Sequence, residues 1–578
     1  RRNEAGDAGL GPLVDAIDAG QVRPTEAADA FQAAYAAWWS DAVIAGDPVL
    51  REFSATEQDS DIGRFRSLDD HYRETTAELV ALRVRAGIPA RDGFAKKSEW
   101  GGLGHEIQKK RRHKSVRRLM QECPGAVRRL APCLMMSPLS VAQYLDPETR
   151  FDMVILDEAS QITACDAVGV LARANQVIVA GDPKQMPPSS FFARQATGGD
   201  DEDETDEDLE SILDDLLACG MPTRHLHMHY RSRCESLIAF SNSRYYGEKL
   251  VTFPSRNTND HALTLVRPDG HYAGGGSRHN EGEAKAVAQE VVRRLTHDDQ
   301  DVRNRTIGVI AVNSQQQRLI EDLLDRERAR NPEIEWAFGS KNSEPVFVKN
   351  IETVQGDERD VILFSMTYGP DAQGRVAMNF GPLNRQGGER RLNVALTRAR
   401  SEMMVFSTLR PDQIDLSRTD ARAVADIKHF LQFAEGGPKA LADAVAAPRN
   451  DFESPLEAQI AAKLEERGWT VHAQIGVSGY RIDLGVVDPE SPGRYLAGVE
   501  ADGAMYHSAA GARERDKIRQ AALEDRGWTM LRVWSTDWWA SPGAETSRLD
   551  LKLKNLAGLP ETDADLGLTQ ADDCLSKH

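Results

Sequence analysis

The sequence predicts an α/β protein built around parallel sheet, with helical text before it and a smaller, separate α/β unit after it. Two observations predict the sheet. Apolar runs of strand length that end in turns recur, FDMVILDEAS at 151–160 and NQVIVAGDPKQ at 175–185 among them, and unbroken apolar character marks strands buried on both faces. Strand and helix texts then alternate: IGVIAVNS before QQQRLIEDLL, next VKNIETVQGDERDVILFSM, next RRLNVALTRARSEMMVFSTL. Such alternation lays helices on the faces of a parallel sheet. The third observation concerns the end of the chain, where the text from Ser454 to about Trp539 reads helix, hairpin, helix, strand.

Taken in order, the 578 residues allow three or four domains at about 150 residues each. Residues 12–90 are Ala-rich and helical in period, and Phe31, Tyr35, Trp38 and Trp39 are spaced as one buried stripe. The expected boundaries are a helical insert over 1–130, α/β domains over 131–222 and 223–435, an Ala-, Gly- and Pro-rich linker over 436–452, the small unit over 453–558, and a tail over 559–578. No fixed-period repeat is present.

Composition excludes several classes. Hydrophobic residues make 40% and charged residues 28% of the chain, ordinary for soluble protein, and no apolar run approaches the roughly 18 residues of a membrane span. The chain opens on Arg1 and Arg2 with no Met and no signal-peptide pattern, so it reads as cytoplasmic with its natural start upstream. None of the six cysteines pairs at C-x-x-C spacing, so neither a zinc knuckle nor a disulfide framework is suggested and the cysteines read as reduced packing residues. A net charge of −19 is unfavourable for contact with phosphates. Its distribution matters more than its total. Eight of the nine residues 200–208 are acidic, whereas Lys109, Lys110, Arg111, Arg112, Lys114, Arg117 and Arg118 form a basic stretch that is either a solvated helical face or a nucleic-acid contact.

The chemistry lies in the turns that follow the strands. Asp157 and Glu158 place two carboxylates at the carboxyl end of a strand, where open α/β sheets bind ligands. One carboxylate of such a pair can hold Mg²⁺ while the other polarises an attacking water, and alone the pair could equally be a solvated turn. Gly181-Asp182-Pro183-Lys184-Gln185 ends the next strand and brings the amide of Gln185 to the same crevice, where it can sense a γ-phosphate. Arg231 in HYRS and Arg398 in LNVALTRAR are either arginine fingers or structural ion pairs.

In this order DEAS, GDPKQMPPS, HYRS, TVQGDERD and NVALTRAR resemble motifs II to VI of the superfamily 1B helicases, the group of the nonsense-mediated-decay helicase, over roughly 132–410. The resemblance implies two RecA-like domains, with Asp157 on Mg²⁺, Glu158 as catalytic base, Gln185 coupling the γ-phosphate to movement, and Arg231 and Arg398 as fingers. It also implies Gly181, Asp182, Gln355, Gly356 and Glu358 at the nucleotide, and Ser137, Pro138 and Thr353 at nucleic acid. ATP and Mg²⁺ are the implied cofactors, and 5′ to 3′ movement is implied by kinship alone. One departure is large: no G-x-x-x-x-G-K-[ST] occurs, and GHYAGGGSRHN lacks the lysine. The loop is expected upstream of Arg1, the alternative being a degenerate motor.

In the last unit SPLEAQIAAKLEERGW reads as a helix with Glu457 in its first turn, and YRIDLGVVD, PESPG and RYLAGVEAD read as a hairpin. Asp483 and Glu500 can approach across adjacent strands, while Glu500 and Asp502, two apart, share a face. Converging carboxylates repel unless a divalent cation joins them, so the geometry wants Mg²⁺ or Mn²⁺ on Asp483 and Glu500; a solvated hairpin edge is the plain alternative. His507 can move protons, and Arg513, Arg515 and Arg519 can meet a phosphate. The pattern E, D, E-x-D-G, Y-H, R-x-R-D-x-x-R, G-W, R-x-W resembles the PD-(D/E)XK nucleases, and more narrowly the very-short-patch mismatch-repair endonuclease, over about 454–540. Asp502 stands where many relatives have lysine, leaving charge stabilisation to His507 or Arg519. The expected whole is an ATP-driven motor on nucleic acid, DNA rather than RNA, joined to an endonuclease that serves DNA repair or defence against foreign DNA. The alternatives are a binding clamp without catalysis and a translocase that separates no strands.

Overall fold

The computed structural model describes residues 2–90, 95, 97–188, 211–257, 262–275, 277–436, 452–476, 480–502, 511 and 513–559. The acidic run 200–208, nearly all of the linker, His507 and all but the first residue of the tail lie outside them, as do the side chains of Asp502 and Arg515. Residues Arg1–Ala77 with Thr536–Ala540 form one compact unit, and the rest of the chain forms another.

The first unit is helical. On its helix Ala27–Gly46 the Tyr35 ring lies 5.7–6.5 Å from those of Phe31, Trp38 and Trp39, so their spacing does give a shared face. That face is not the buried stripe expected, because the four side chains are 43–59% exposed. Periodicity decides which residues share a helix face and says nothing about what covers it.

The second unit holds the sheets. Strands β1 (Phe151–Leu156) and β2 (Ala174–Val179) pair in parallel. Leu156, Ala159, Ala167, Ile212 and Leu213 form the core beside them, packed by the helices Ala164–Leu171 and Ile212–Ala218. Burial on both faces, which the apolar runs predicted, does not occur here. Met153, Ile155 and Ile178 are 43–64% exposed, because among the described residues this sheet has two strands and helices over one face only.

A second sheet behaves as the alternation predicts. Its strands are β3 (Leu263–Val266), β6 (Ile307–Ala311), β7 (Phe347–Asn350), β8 (Arg359–Ser365) and β9 (Ala399–Phe406), all parallel in the order β3-β9-β8-β6-β7. Helices Glu281–Leu295 and Ser314–Arg330 bury one face, and Ser236–Tyr245, Gly388–Leu396 and Arg422–Gly436 bury the other. The glycine-rich stretch 270–280 carries a two-stranded ribbon, β4 (Tyr272–Ala273) with β5 (His279–Asn280), that ends in the N-cap of helix Glu281–Leu295. It is a connection, not a phosphate cradle.

The last sheet runs β10 (Val471–Ile475), β11 (Ile482–Val487), β12 (Tyr495–Asp502) and β13 (Met530–Trp534). The first three strands are antiparallel to their neighbours, and β13 joins β12 in parallel. Helix Pro455–Glu466 packs on β10 and on the helix Pro542–Ala557.

Candidate active sites: a nucleotide crevice and a carboxylate centre

At the carboxyl end of β1 the chain turns sharply at Glu158, whose φ of 51° and ψ of 41° are left-handed. Few residues other than glycine adopt this conformation without cost. Asp157 Oδ1 accepts from the Glu158 amide at 3.0 Å, and Glu158 Oε2 accepts from Gln355 Nε2 at 3.3 Å, so the carboxylate reaches the loop that leaves β7. In that loop Thr353 Oγ1 is bonded within the turn to Asn350, and Gly356 takes a φ of 88°. The amide oxygen of Gln355, Oε1, is buried with no partner among the described residues.

Opposite the carboxylates stand the arginines. Arg231 Nε donates to Glu358 Oε2 at 2.5 Å and its Nη1 to the Thr397 carbonyl at 3.4 Å. Arg398 is buried, with Nε on the Val394 carbonyl at 2.7 Å and Nη2 on Thr397 Oγ1 at 3.1 Å. Burial, with the like charge of Arg231 second, lowers Arg398 to about 10, so it keeps its charge at neutral pH. These groups form a cationic wall held in place before any anion arrives.

Asp182 is the joint between the two sheets. Its carboxylate accepts from Lys184 N at 2.8 Å, Gln185 Nε2 at 3.1 Å and the Tyr246 hydroxyl at 2.8 Å. Asn393 Nδ2 donates both to the Tyr246 oxygen, at 3.0 Å, and to the Lys184 carbonyl, at 2.9 Å. The GDPKQ turn is thus bonded directly to the helix that precedes Arg398. Sequence reading missed Tyr246 altogether and saw Asn393 only as part of a motif, because neither shows its partner until the chain is folded. Gly181 is needed for the same turn: a Cβ there would stand 3.0 Å from Leu213 Cδ2 and 3.1 Å from the Ser160 amide.

Beside Arg231, burial and then the charges of Arg231, Arg526 and Arg398 depress His229 to about 4. Its Nε2 accepts from the Ser232 amide at 3.2 Å, as a neutral ring can. The linkage has a definite sign. A histidine that is neutral when folded and titrates near 6.5 when unfolded stabilises fully above pH 6.5 and loses that contribution as pH falls toward 4. Roughly 2–3 kcal/mol should disappear over this window. Denaturant unfolding of the wild type and of His229→Gln at pH 7 and pH 4.5 checks this, the variant losing less between the two.

Ser137 is exposed and caps the helix Pro138–Tyr144, its Oγ accepting from the Ser140 amide at 3.2 Å. It presents its polar edge to solvent, as a phosphate contact requires.

In the C-terminal unit the register sets Leu484 against Val499 and Glu500 beside Arg532, so Asp483 and Glu500 occupy facing positions. Asp483 Oδ2 accepts from the Ala501 amide at 2.8 Å. Tyr480 donates its hydroxyl to Glu500, and the Arg519 guanidinium lies 5.2 Å from the centre of the Tyr480 ring. Burial first, then the charges of Glu457, Glu500 and Glu453, push Asp483 up to about 7.

Glu457 is buried and serves as a cap. Its carboxylate accepts from Ser454 Oγ at 2.8 Å, the Glu453 amide at 3.0 Å and Gln474 Nε2 at 2.9 Å, so it acts on Asp483 through its charge. Arg513 is exposed ahead of the π-helical turn Glu514–Arg519. Among the described residues no three His, Cys, Asp or Glu side chains form a metal cage. The two hard oxygen donors present, Asp483 and Glu500, suit Mg²⁺ or Mn²⁺.

The chain carries AAA-type helicase domains joined to a C-terminal restriction-endonuclease-like domain. Two AAA-domain families match residues 134–191 and 209–410, and the REase_MTES_1575 family matches 456–553. The chain is 32% identical to the uncharacterized ATP-dependent helicase MG140 homolog of Mycoplasma pneumoniae over 71% of its length, and 31% identical to the uncharacterized ATP-dependent helicase MG140 of Mycoplasma genitalium over 73%. It spans 37% and 38% of those proteins. It is also 26% identical, over 45% of its length and 13% of the relative's, to the 5′-3′ DNA helicase ZGRF1 of Mus musculus. Among the described residues no helix is long and apolar enough to cross a membrane.

Proposed function

We propose that these residues are the hydrolytic and sensing part of an ATP-driven helicase or translocase on DNA, coupled to a metal-dependent endonuclease. One observation carries the reading. Glu158, Gln355, the Arg231–Glu358 pair and Arg398, drawn from separate parts of the chain, are brought to one crevice by two sheets bonded through Asp182, Tyr246 and Asn393. In it Glu158 would take the proton of the attacking water, Arg231 and Arg398 would face the charge on the γ-phosphate, and Gln185 would pass its presence to the Asp182 joint. Mg²⁺, held by Asp157, would neutralise phosphate charge.

ZGRF1's description as a 5′-3′ DNA helicase supports DNA as the track and that polarity. At the second centre Asp483 and Glu500 would hold Mg²⁺ or Mn²⁺, which activates water for phosphodiester cleavage. His507 and Arg519 would supply the proton and charge that Asp502 cannot, and Arg513 would meet the DNA backbone. A motor that presents strands to a nuclease suits DNA repair or defence against foreign DNA.

The test is plasmid and single-strand cleavage by the chain in Mg²⁺ and Mn²⁺, alongside DNA- and RNA-stimulated ATP hydrolysis in protein that also supplies a phosphate-binding loop. Salt-sensitive DNA binding with neither activity would favour the clamp.

A further inference from the structure

One strip of the motor's second domain reaches both centres. The Val251 amide donates to the His227 carbonyl at 2.7 Å, and the His229 amide to the Val251 carbonyl at 2.9 Å. Residues 251 onward are thereby bonded to the strand that carries Arg231. Two residues on, Phe253 is 2% exposed, and its neighbours are nuclease residues: it belongs to the core of Tyr480, Ile482, Val487, Tyr495, Leu523 and Trp528. Its ring centre is 5.2 Å from that of Tyr480. The backbone on either side is clamped. Trp528 Nε1 donates to the Pro254 carbonyl at 2.9 Å, and the Tyr495 amide to the Arg256 carbonyl at 2.8 Å. Arg526 lies over the Phe253 ring at 5.4 Å and donates to the Ser232 carbonyl at 3.2 Å, next to the finger.

We propose that Phe253, a motor residue, positions Glu500 of the nuclease centre by seating Tyr480, so that the segment carrying Arg231 and the metal carboxylate share one buried support. This rests on the reading of Asp483 and Glu500 as a metal centre. Glu500 faces a like charge and would swing away from it. The Tyr480 hydroxyl prevents this, and within its core the Tyr480 ring is flanked by Phe253 and the Arg519 guanidinium. Partners that orient a metal's ligands typically govern affinity by 10- to 100-fold, about tenfold being expected for a partner one step removed. Phe253 and Tyr480 are therefore positioning residues, and a motor movement that shifts residues 227–232 has a rigid route to Glu500.

The experiment is a Mn²⁺ titration of cleavage, with Mn²⁺ binding followed by electron paramagnetic resonance, in the wild-type chain and three variants. Phe253→Leu and Tyr480→Phe should raise the Mn²⁺ needed for half-maximal cleavage about tenfold, with the rate at saturating Mn²⁺ close to wild type. Leu523→Val trims the same core while leaving the Phe253 and Tyr480 rings in place, and should lower thermal stability without moving the Mn²⁺ midpoint. A Phe253→Leu midpoint within twofold of Leu523→Val overturns the proposal, since packing alone then explains Phe253. A wild type that neither cleaves nor binds Mn²⁺ is a different result, which removes the metal-centre reading and this proposal with it.

Discussion

Replacing Glu158 by Gln is expected to reduce nucleic-acid-stimulated ATP hydrolysis by about 10² to 10⁴, the usual contribution of a positioned base. Gln keeps the shape of Glu and can still accept the 3.3 Å hydrogen bond from Gln355, but it cannot take a proton. The backbone supports the assignment: a left-handed Glu158 costs of order 1–3 kcal/mol, and such strain persists where a side chain must be aimed. The assay belongs in protein that supplies a phosphate-binding loop. The 578 residues contain no G-x-x-x-x-G-K-[ST] and should by themselves bind ATP weakly, since Arg231, Arg398 and Gln185 would read a γ-phosphate while the motif that cradles the α and β groups is not in this sequence. Undiminished turnover in Glu158→Gln would show that the base lies elsewhere, and tight ATP binding by this chain alone would show that the phosphate site does.

The second sheet and the C-terminal hairpin were legible in the sequence, because parallel strands covered on both faces need unbroken apolar runs and a hairpin needs a turn between alternating ones. β6 illustrates the first: all five of its residues are buried. The same logic misjudged β1 and β2, whose composition is that of buried strands while Ile155 and Ile178 face outward. Burial depends on what packs against a strand, and a strand's own text does not record it. Motif residues could be read one by one. Their joints could not, since the Tyr246–Asp182–Asn393 network spans positions 182 to 393, and Phe253 sits in a loop with no local mark of its role. Glu457 shows the converse, a candidate catalytic carboxylate whose hydrogen bonds also cap its helix, a second role that the pattern does not display.

Asp483→Asn should abolish Mg²⁺- or Mn²⁺-dependent cleavage while leaving the protein at least as stable as the wild type. Losing a metal ligand removes several kcal/mol of charge stabilisation, about 10² to 10³ in rate. A misfolded variant would lose activity too, and the electrostatics separate the cases. Asn can still accept from the Ala501 amide that Asp483 holds at 2.8 Å. Burial and neighbouring carboxylates push Asp483 up to about 7, above its value in the unfolded chain, so its charge opposes folding. That penalty grows as pH rises from about 4 to about 7 and is complete at pH 8. Asn carries none of it. In metal-free buffer at pH 8 the variant should therefore unfold at the same temperature as the wild type or higher, and adding Mn²⁺ should stabilise the wild type alone. A carboxylate that weakens the apo protein and is indispensable for cleavage is one kept for a cation. If Asp483→Asn cleaves normally, or if Mn²⁺ stabilises both proteins equally, Asp483 is a strained hairpin residue and the metal is held elsewhere.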